Sequence, residues 1–437
     1  MRILIVNTSE RTGGAAVAAG RLMDALNACG IEARMLVGKK ETHRDCVVGL
    51  DGRLARRWHF LWERLCVFLG LRLSRQRLFE IDIANSGSDI TRLPEFKAAD
   101  VIHLNWINQG MLSLNDIRKI LDSGKPVAWT MHDLWPAAGI CHYARGCEAF
   151  KTGCGHCPLL PGGGSEGDLS HRVWQKKRRI YANRNIHFVT CSRWLEGQAR
   201  QSGLLAGLRV NSIPNTIDTS VFAPGDMAAA RRRTGLPEDK RVILFVSHRV
   251  TDGRKGMDYF TRALERLVEE RPAARKDTVV AILGGESEAV AERLPLEACP
   301  LGYVGDDAAI VDIYRSADLY VLPSLEDNLP NTIMEALACG LPCVGFRVGG
   351  IPEMIDHAKN GYVAAYKDTD DLARGMAWVL YEADRQALAA ECVRKVERCY
   401  SQQSVAMRYT EVYNELVAHS NYIKAEPQGR RRQGKPF

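Results

Sequence analysis

The chain has 437 residues, 46% of them hydrophobic and 25% charged, with a formal net charge of +7. This is the balance of a soluble globular protein long enough for two domains, and no apolar run approaches the ~20 residues needed to span a bilayer. Thirteen cysteines, an odd number scattered through apparent core segments, argue against a secreted disulfide framework.

Met1 and Arg2 run straight into the apolar residues 3–6, a short buried parallel strand that does not resemble a signal peptide, so a cytoplasmic enzyme is expected. Gly13 and Gly14 then open a helix reaching Ala28. Small residues there let a backbone approach a ligand, although many such turns need glycine for sterics alone. Residues 53–79 mix seven arginines with two tryptophans and three phenylalanines. Leu54, Trp58, Leu61, Trp62, Leu65, Phe68 and Leu69 recur at spacings of three and four, which makes one apolar helix face. A helix lying on an anionic membrane surface explains the Arg and Trp enrichment better than an ordinary packed amphipathic helix does. No nucleic-acid reader motif accompanies these basic residues.

Strands are expected at 101–106 and 127–131, and His132 stands just past the second, where α/β sheets place ligand contacts. A histidine bonded to a backbone carbonyl is the plainer alternative. In the segment 139–160, Cys141, Cys147, Cys154 and Cys157 lie within seventeen residues together with His142 and His156. These ligand types suit a structural tetrahedral zinc; a reducible disulfide and simple packing are the competing readings. A basic helix near 173–183, with Lys176, Lys177, Arg178 and Arg179, offers a face to phosphate, lipid headgroups or solvent. A strand at 187–191 and a helix at 193–202 complete the first half.

The second half opens with a strand at 242–247 and a glycine-containing loop carrying Arg249, Arg254 and Lys255. Strands at 279–283 and 302–304 follow. Residues 319–346 read as strand, polar turn, helix and strand: the apolar run stops at Pro323, Asn331 is the expected N-cap, Gly340 the C′ residue, and Pro342 bars continuation. Glu335 falls about one turn into that helix, whose positive end faces the carboxyl edge of a parallel sheet where anions bind. It either complements the helix dipole or accepts from a ribose diol. Gly349-Gly350-Ile351-Pro352 is a second phosphate-friendly helix start.

The pattern Pro323-Ser324, Asp327, then Glu335-Ala336-x-Ala338-x-Gly340-x-Pro342 resembles the donor-site signature of retaining glycosyltransferases of family 4, which have the GT-B fold. The resemblance implies an α/β chain of two Rossmann-like doubly wound domains facing across a cleft. Residues 1–222 would serve the acceptor and 223–393 the nucleotide sugar, 394–423 would return to the first domain, and 424–437 would be a disordered basic tail. It implies a ribose contact for Glu335 and a place near the donor sugar for Asp327, or for Glu326 beside it. Asn328, Leu329, Pro330 and Asn331 line the same donor turn. Arg249 and Lys255 would neutralise the diphosphate, Gly13 and Gly14 would face the donor phosphates and acceptor, and His132 would contact the donor sugar. A narrower resemblance rests on His132-Asp133-x-Trp135, Gly139-x-Cys141, Gly146-Cys147-Glu148 and Lys151-Thr152-Gly153-Cys154-x-x-Cys157-Pro158. It points to the cysteine-containing branch found in capsule, O-antigen and colanic-acid gene clusters.

The expected reaction is retaining transfer of a hexosyl group from a UDP- or GDP-linked sugar to a lipid-linked or oligosaccharide acceptor at the inner face of the cytoplasmic membrane. No Asp-x-Asp stands where a metal-dependent transferase holds its diphosphate, so no cofactor is expected in catalysis. The alternatives are a sugar-nucleotide epimerase of the same fold and a non-catalytic membrane-associated assembly subunit.

Overall fold

A computed structural model of the protein describes residues 1–425, and the tail expected at 424–437 lies, from residue 426 on, outside the described residues. The chain divides into two compact units. One comprises Met1–Cys191, Glu196–Ile213 and the chain from Ala406 on; the other comprises Ser192–Leu195 and Pro214–Val405.

The first unit is built on seven parallel strands: β1 (Arg2–Ser9), β2 (Glu32–Lys39), β3 (Val47–Gly49), β4 (Val101–Leu104), β5 (Val127–Met131), β6 (Ile186–Thr190) and β7 (Arg209–Ser212). They pair in the order β3-β2-β1-β4-β5-β6-β7. Ile3, Leu4, Ile5 and Val6 are all buried, as a strand covered on both faces requires. The order reverses between β1 and β4, whose register pairs Ile3 with Val101 and Val6 with Leu104. In doubly wound sheets ligands bind beyond the carboxyl ends of the strands at such a reversal.

Helix α1 (Gly14–Ala28) buries Leu22, Met23 and Leu26, matching its expected span. Helix α2 (Arg53–Gly70) forms over most of the predicted amphipathic stretch, but it is turned over: Glu63, Arg64 and Val67 are its buried residues. The predicted apolar row is not packed on the sheet. Leu54 is 83% exposed, Trp58 61% and Leu69 57%, and Leu61, Trp62 and Leu65 are exposed as well. Helix α3 (Leu169–Tyr181) starts at Asp168, whose carboxylate accepts from the Ser170 and His171 amides. Within its basic run Lys177 is completely buried, so this residue is no part of a solvated or lipid-facing surface.

The second unit holds six parallel strands: β8 (Arg241–Arg249), β9 (Thr278–Gly285), β10 (Glu297–Gly302), β11 (Leu319–Leu322), β12 (Cys343–Phe346) and β13 (Gly361–Ala364). Their order is β10-β9-β8-β11-β12-β13, the same winding as in the first unit. Phe245, Phe260, Ile282, Val321 and Phe346 meet in its core. The strand expected at 302–304 ends where it should begin. Pro300 hides β10 from an apolar-run reading, and an edge strand paired on one side only tolerates that proline. Helix α4 (Asp307–Ser316) precedes β11, and α5 (Asn331–Ala338) joins β11 to β12.

The last helix, α6 (Gln402–Ala425), enters the first unit at Ala406. There the Tyr413 hydroxyl lies 2.7 Å from His103 Nδ1, and the Tyr409 hydroxyl lies 2.9 Å from Thr130 Oγ1.

Candidate active site

Two loops at the carboxyl edge of the second sheet are tied to each other. One follows β8, the other β11. The Leu325 amide donates to the Arg254 carbonyl at 2.7 Å. Gly256 adopts φ +77°, and a Cβ there would stand 2.0 Å from the Pro323 carbonyl oxygen, so only glycine lets the loops meet. The contact delivers Lys255 to Asp327: Nζ donates to Oδ2 at 2.7 Å, and Ser324 Oγ donates to the same oxygen at 3.2 Å. Arg254, the competing cation, is held by Asp252 at 2.7 Å. Arg249 pairs with Glu286 at 2.8 Å, and hydrogen bonds from Thr251 and Arg249 hold the Glu286 carboxyl below its usual range. Glu286, on the turn after β9, was not singled out from the sequence, where it reads as a solvated turn residue.

The turn 326–331 divides into two kinds of residue. Asn328, Leu329 and Pro330 are buried, whereas Glu326, Asp327 and Asn331 are half-buried. Asn328 accepts from Ser192 Oγ at 2.5 Å, and its carbonyl accepts from the Gly350 amide at 2.8 Å. A Cβ on Gly349 would lie 1.6 Å from the Asp327 carbonyl oxygen, so the Gly349-Gly350 turn is needed for packing on this loop. Pro330, not Asn331, is the N-cap of α5; Asn331 is inside the helix and accepts from Asn215 Nδ2 at 2.9 Å instead of closing the helix end.

Glu335 is half-buried on α5, and its Oε2 accepts from the hydroxyl of Tyr314 on α4 at 2.9 Å. Tyr320 of β11 donates similarly to Thr332 Oγ1 at 2.8 Å. The sequence reading missed both tyrosines, because each sits in an apolar pattern that burial alone explains.

In the first unit, Gly13 caps α1 with no side-chain hydrogen bond, and Gly13 and Gly14 are exposed at the carboxyl end of β1. His132 follows β5. Its Nε2 lies 3.0 Å from Asn105 Oδ1 and its Nδ1 3.5 Å from Cys191 Sγ. Burial lowers its pKa to about 4 against a smaller opposing pull from Asp133, so the ring is neutral at neutral pH.

Beneath His132 runs a buried ionic chain that was also missed. His142 sits between two carboxylates, with Nδ1 2.7 Å from Asp133 Oδ2 and Nε2 2.7 Å from Asp82 Oδ2. Burial would lower its pKa, but the two carboxylates raise it to about 10. Asp82 also binds the guanidinium of Arg64 from α2, and Asp133 accepts from Trp106 Nε1 at 3.1 Å. In sequence His142 stands with the cysteines as one of the ligand types suited to zinc.

The zinc expectation finds no support in this geometry. All four cysteines are free thiols, and among the described residues no group of three or more Cys, His, Asp or Glu could hold a metal ion. One reason is that the imidazole of His142 is already spent on carboxylates. Desolvation raises Cys154 to about 11 and Cys141 and Cys157 in the same direction. The cation beside them is Lys177, whose Nζ donates to the carbonyls of Trp135, Ala138 and Gly139 at 2.5, 2.9 and 3.0 Å.

Residues 240–382, which carry both loops and α5, match the family model described as Glycosyl transferases group 1. The whole chain resembles the sucrose-phosphate synthase of Thermosynechococcus elongatus with a TM-score of 0.67, covering 96% of this chain and 99% of that one at 18% identity. It also resembles Anabaena HepE, solved in complex with UDP-glucose, with a TM-score of 0.61 at 15% identity, covering 95% and 100%. The fold is GT-B. In sequence, the chain is 33% identical over 221 residues to the D-inositol 3-phosphate glycosyltransferase of Thermobispora bispora, covering 48% of this chain and 51% of that protein. The chain thus spans about half the length of this relative, and its GT-B second unit carries the family match.

Proposed function

We propose that the protein is a retaining, family-4-like glycosyltransferase that moves a hexosyl group from a UDP- or GDP-linked sugar to a lipid-linked or oligosaccharide acceptor. The setting is bacterial extracellular polysaccharide synthesis on the cytoplasmic side of the membrane. The observation that carries the reading is the pairing of Lys255 with Asp327 across two glycine-tightened loops, beside the helix that presents Glu335. As the bond from the sugar's anomeric carbon to the β-phosphate oxygen breaks, charge grows on the diphosphate, and Arg249 and Lys255 neutralise it. The donor turn 326–331 surrounds the sugar, with Asp327 or Glu326 as its acid, and Glu335 accepts from the ribose. In this proposal the two cations do the work of a divalent ion. The acceptor hydroxyl passes its proton to the departing phosphate oxygen on the same face.

The outward apolar row of α2, with Arg53, Arg57, Arg72 and Arg75 exposed around it, supports docking on an anionic membrane. Among the described residues no helix is long and apolar enough to cross a bilayer, so α2 would lie in the interface plane. The narrower resemblance to capsule, O-antigen and colanic-acid enzymes supports the polysaccharide setting. A soluble polyol phosphate acceptor is the second reading, favoured by the name and 33% identity of the Thermobispora relative.

The test is nucleotide release from UDP- and GDP-sugars with lipid-linked saccharide, free oligosaccharide or inositol phosphate as acceptor, with the product anomer read by NMR. An α-linked product from an α-linked donor on the lipid acceptor supports the proposal. Transfer to inositol phosphate alone favours the second reading. Free-sugar or epimerised products without an acceptor point to an epimerase, and no turnover with any donor favours a non-catalytic subunit.

A further inference from the structure

The ribose contact proposed for Glu335 depends on a side chain outside the donor signature. Glu335 has three side-chain torsions and is half-buried, so the direction of its carboxylate is set by what it contacts. Tyr314 supplies one such contact. Its ring is 1% exposed, and its hydroxyl, out of reach of bulk water, donates to Glu335 Oε2 at 2.9 Å. The ring is held in turn against Tyr320, edge to face, with centroids 6.1 Å apart and planes at 87°. Tyr320 sends its own hydroxyl to Thr332 Oγ1. Two buried phenols from neighbouring elements, α4 and β11, therefore grip two successive polar positions on one face of α5. A hydrogen bond from a buried donor to a carboxylate is among the stronger contacts in a protein, and it is directional.

We propose that Tyr314 is a positioning residue that orients the Glu335 carboxylate toward a vicinal diol, and so makes the site select ribonucleotides over 2′-deoxyribonucleotides. This rests on the reading of Glu335 as the ribose contact. A site built to accept from a hydroxyl discriminates against an analogue lacking it, because that hydrogen bond is lost. The pre-set carboxylate favours UDP, GDP or ADP sugars and disfavours thymidine-diphosphate sugars, whose sugar ring lacks the 2′-hydroxyl.

The experiment titrates the full chain with UDP, GDP and their 2′-deoxy counterparts by calorimetry, on wild type, Tyr314→Phe, Glu335→Gln and Glu335→Asp. Wild type should prefer one ribonucleotide over its deoxy form by about tenfold or more, and Tyr314→Phe should shrink that ratio about fivefold while leaving deoxynucleotide affinity unchanged. A merely structural tyrosine would weaken both nucleotides together. If Glu335→Gln keeps the full ratio, the ribose reading falls and this proposal with it. If Glu335→Gln abolishes the ratio and a folded Tyr314→Phe retains it, Tyr314 positions nothing. Should Tyr314→Phe fail to fold, Glu335→Asp decides: it keeps the charge but draws the carboxylate back from the phenol, so the ratio must fall, and an unchanged ratio overturns the proposal.

Discussion

Lys255 Nζ and Asp327 Oδ2 stand 2.7 Å apart, in side chains 27% and 13% exposed, at the point where the β8 and β11 loops meet. The lysine proposed to meet a diphosphate is thus already paired with a carboxylate from the donor turn. Asp327→Ala should release Lys255 and weaken donor binding, whereas Asp327→Glu should retain or raise activity. Steady-state kinetics with the preferred donor would show this as a split in KM. An unchanged KM in both variants would mean that the pair has no role in the donor site.

Gly256→Ala tests the loop contact itself. The new methyl would stand 2.0 Å from the Pro323 carbonyl oxygen at a φ of +77°, so the loops must part. The expected result is a loss of about 1–3 kcal/mol in stability, from strain at a left-handed position, together with weaker nucleotide binding. Thermal unfolding with and without nucleotide measures both.

The buried chain under His132 predicts a large effect from one change. Asp82 is completely buried and binds both Arg64 and His142. Asp82→Ala leaves two buried cations short of a partner and should destabilise the protein by about 3–5 kcal/mol in denaturant unfolding. A change below 1 kcal/mol would contradict the ionic reading of this network.

Acid sensitivity follows from histidines kept neutral. Burial lowers His103 to about 3 and His132 to about 4, so below the ordinary value of 6.5 the unfolded chain takes up two protons that the folded chain refuses. Stability from these two is present above pH 6.5 and is lost as pH falls toward 4. Glu63 opposes them: burial and Asp82 raise it to about 7, so it gains a proton in the folded state first, between pH 7 and its unfolded value of 4.5. His142, raised to about 10, is charged in both states below 6.5 and contributes a constant. His187, also lowered by burial, adds to the histidine side, so stability falls as pH drops from 6.5 toward 4.5. Glu63→Gln should steepen that fall, and urea titrations across this range would register it.

The outward face of α2 predicts an effect on binding without an effect on folding. Trp58 and Trp62 stack at 5.8 Å and are 61% and 41% exposed. Replacing both with serine should abolish flotation with anionic vesicles while shifting stability by less than about 1 kcal/mol, since little packing is lost. Vesicle binding that survives the change would show that α2 does not dock there.

Strands and glycine-marked turns were legible because buried parallel strands read as apolar runs and because Gly340 and Pro342 punctuate a helix end. The loop 323–331 and Glu335 were legible as a motif, and Arg249 and Lys255 as cations after a strand. What stayed hidden was pairing at long range. Asp82, His142 and Arg64 lie far apart in sequence, and no local pattern joins them. The α2 row showed its period but not its direction, because periodicity identifies a face without saying whether protein covers it. In α2 the covered residues are Glu63, Arg64 and Val67, so a charged pair is buried where composition leads one to expect apolar side chains. The cysteines showed ligand types without geometry, and β10 was hidden by the proline that its edge position tolerates.

The most direct test of the donor site is the melting temperature of wild type and Lys255→Ala over a concentration series of UDP and GDP. The account predicts that one nucleotide raises the wild-type melting temperature in a saturable way and that Lys255→Ala, folded and equally stable without ligand, loses most of that rise. No rise with either nucleotide, or an equal rise in the variant, would contradict it.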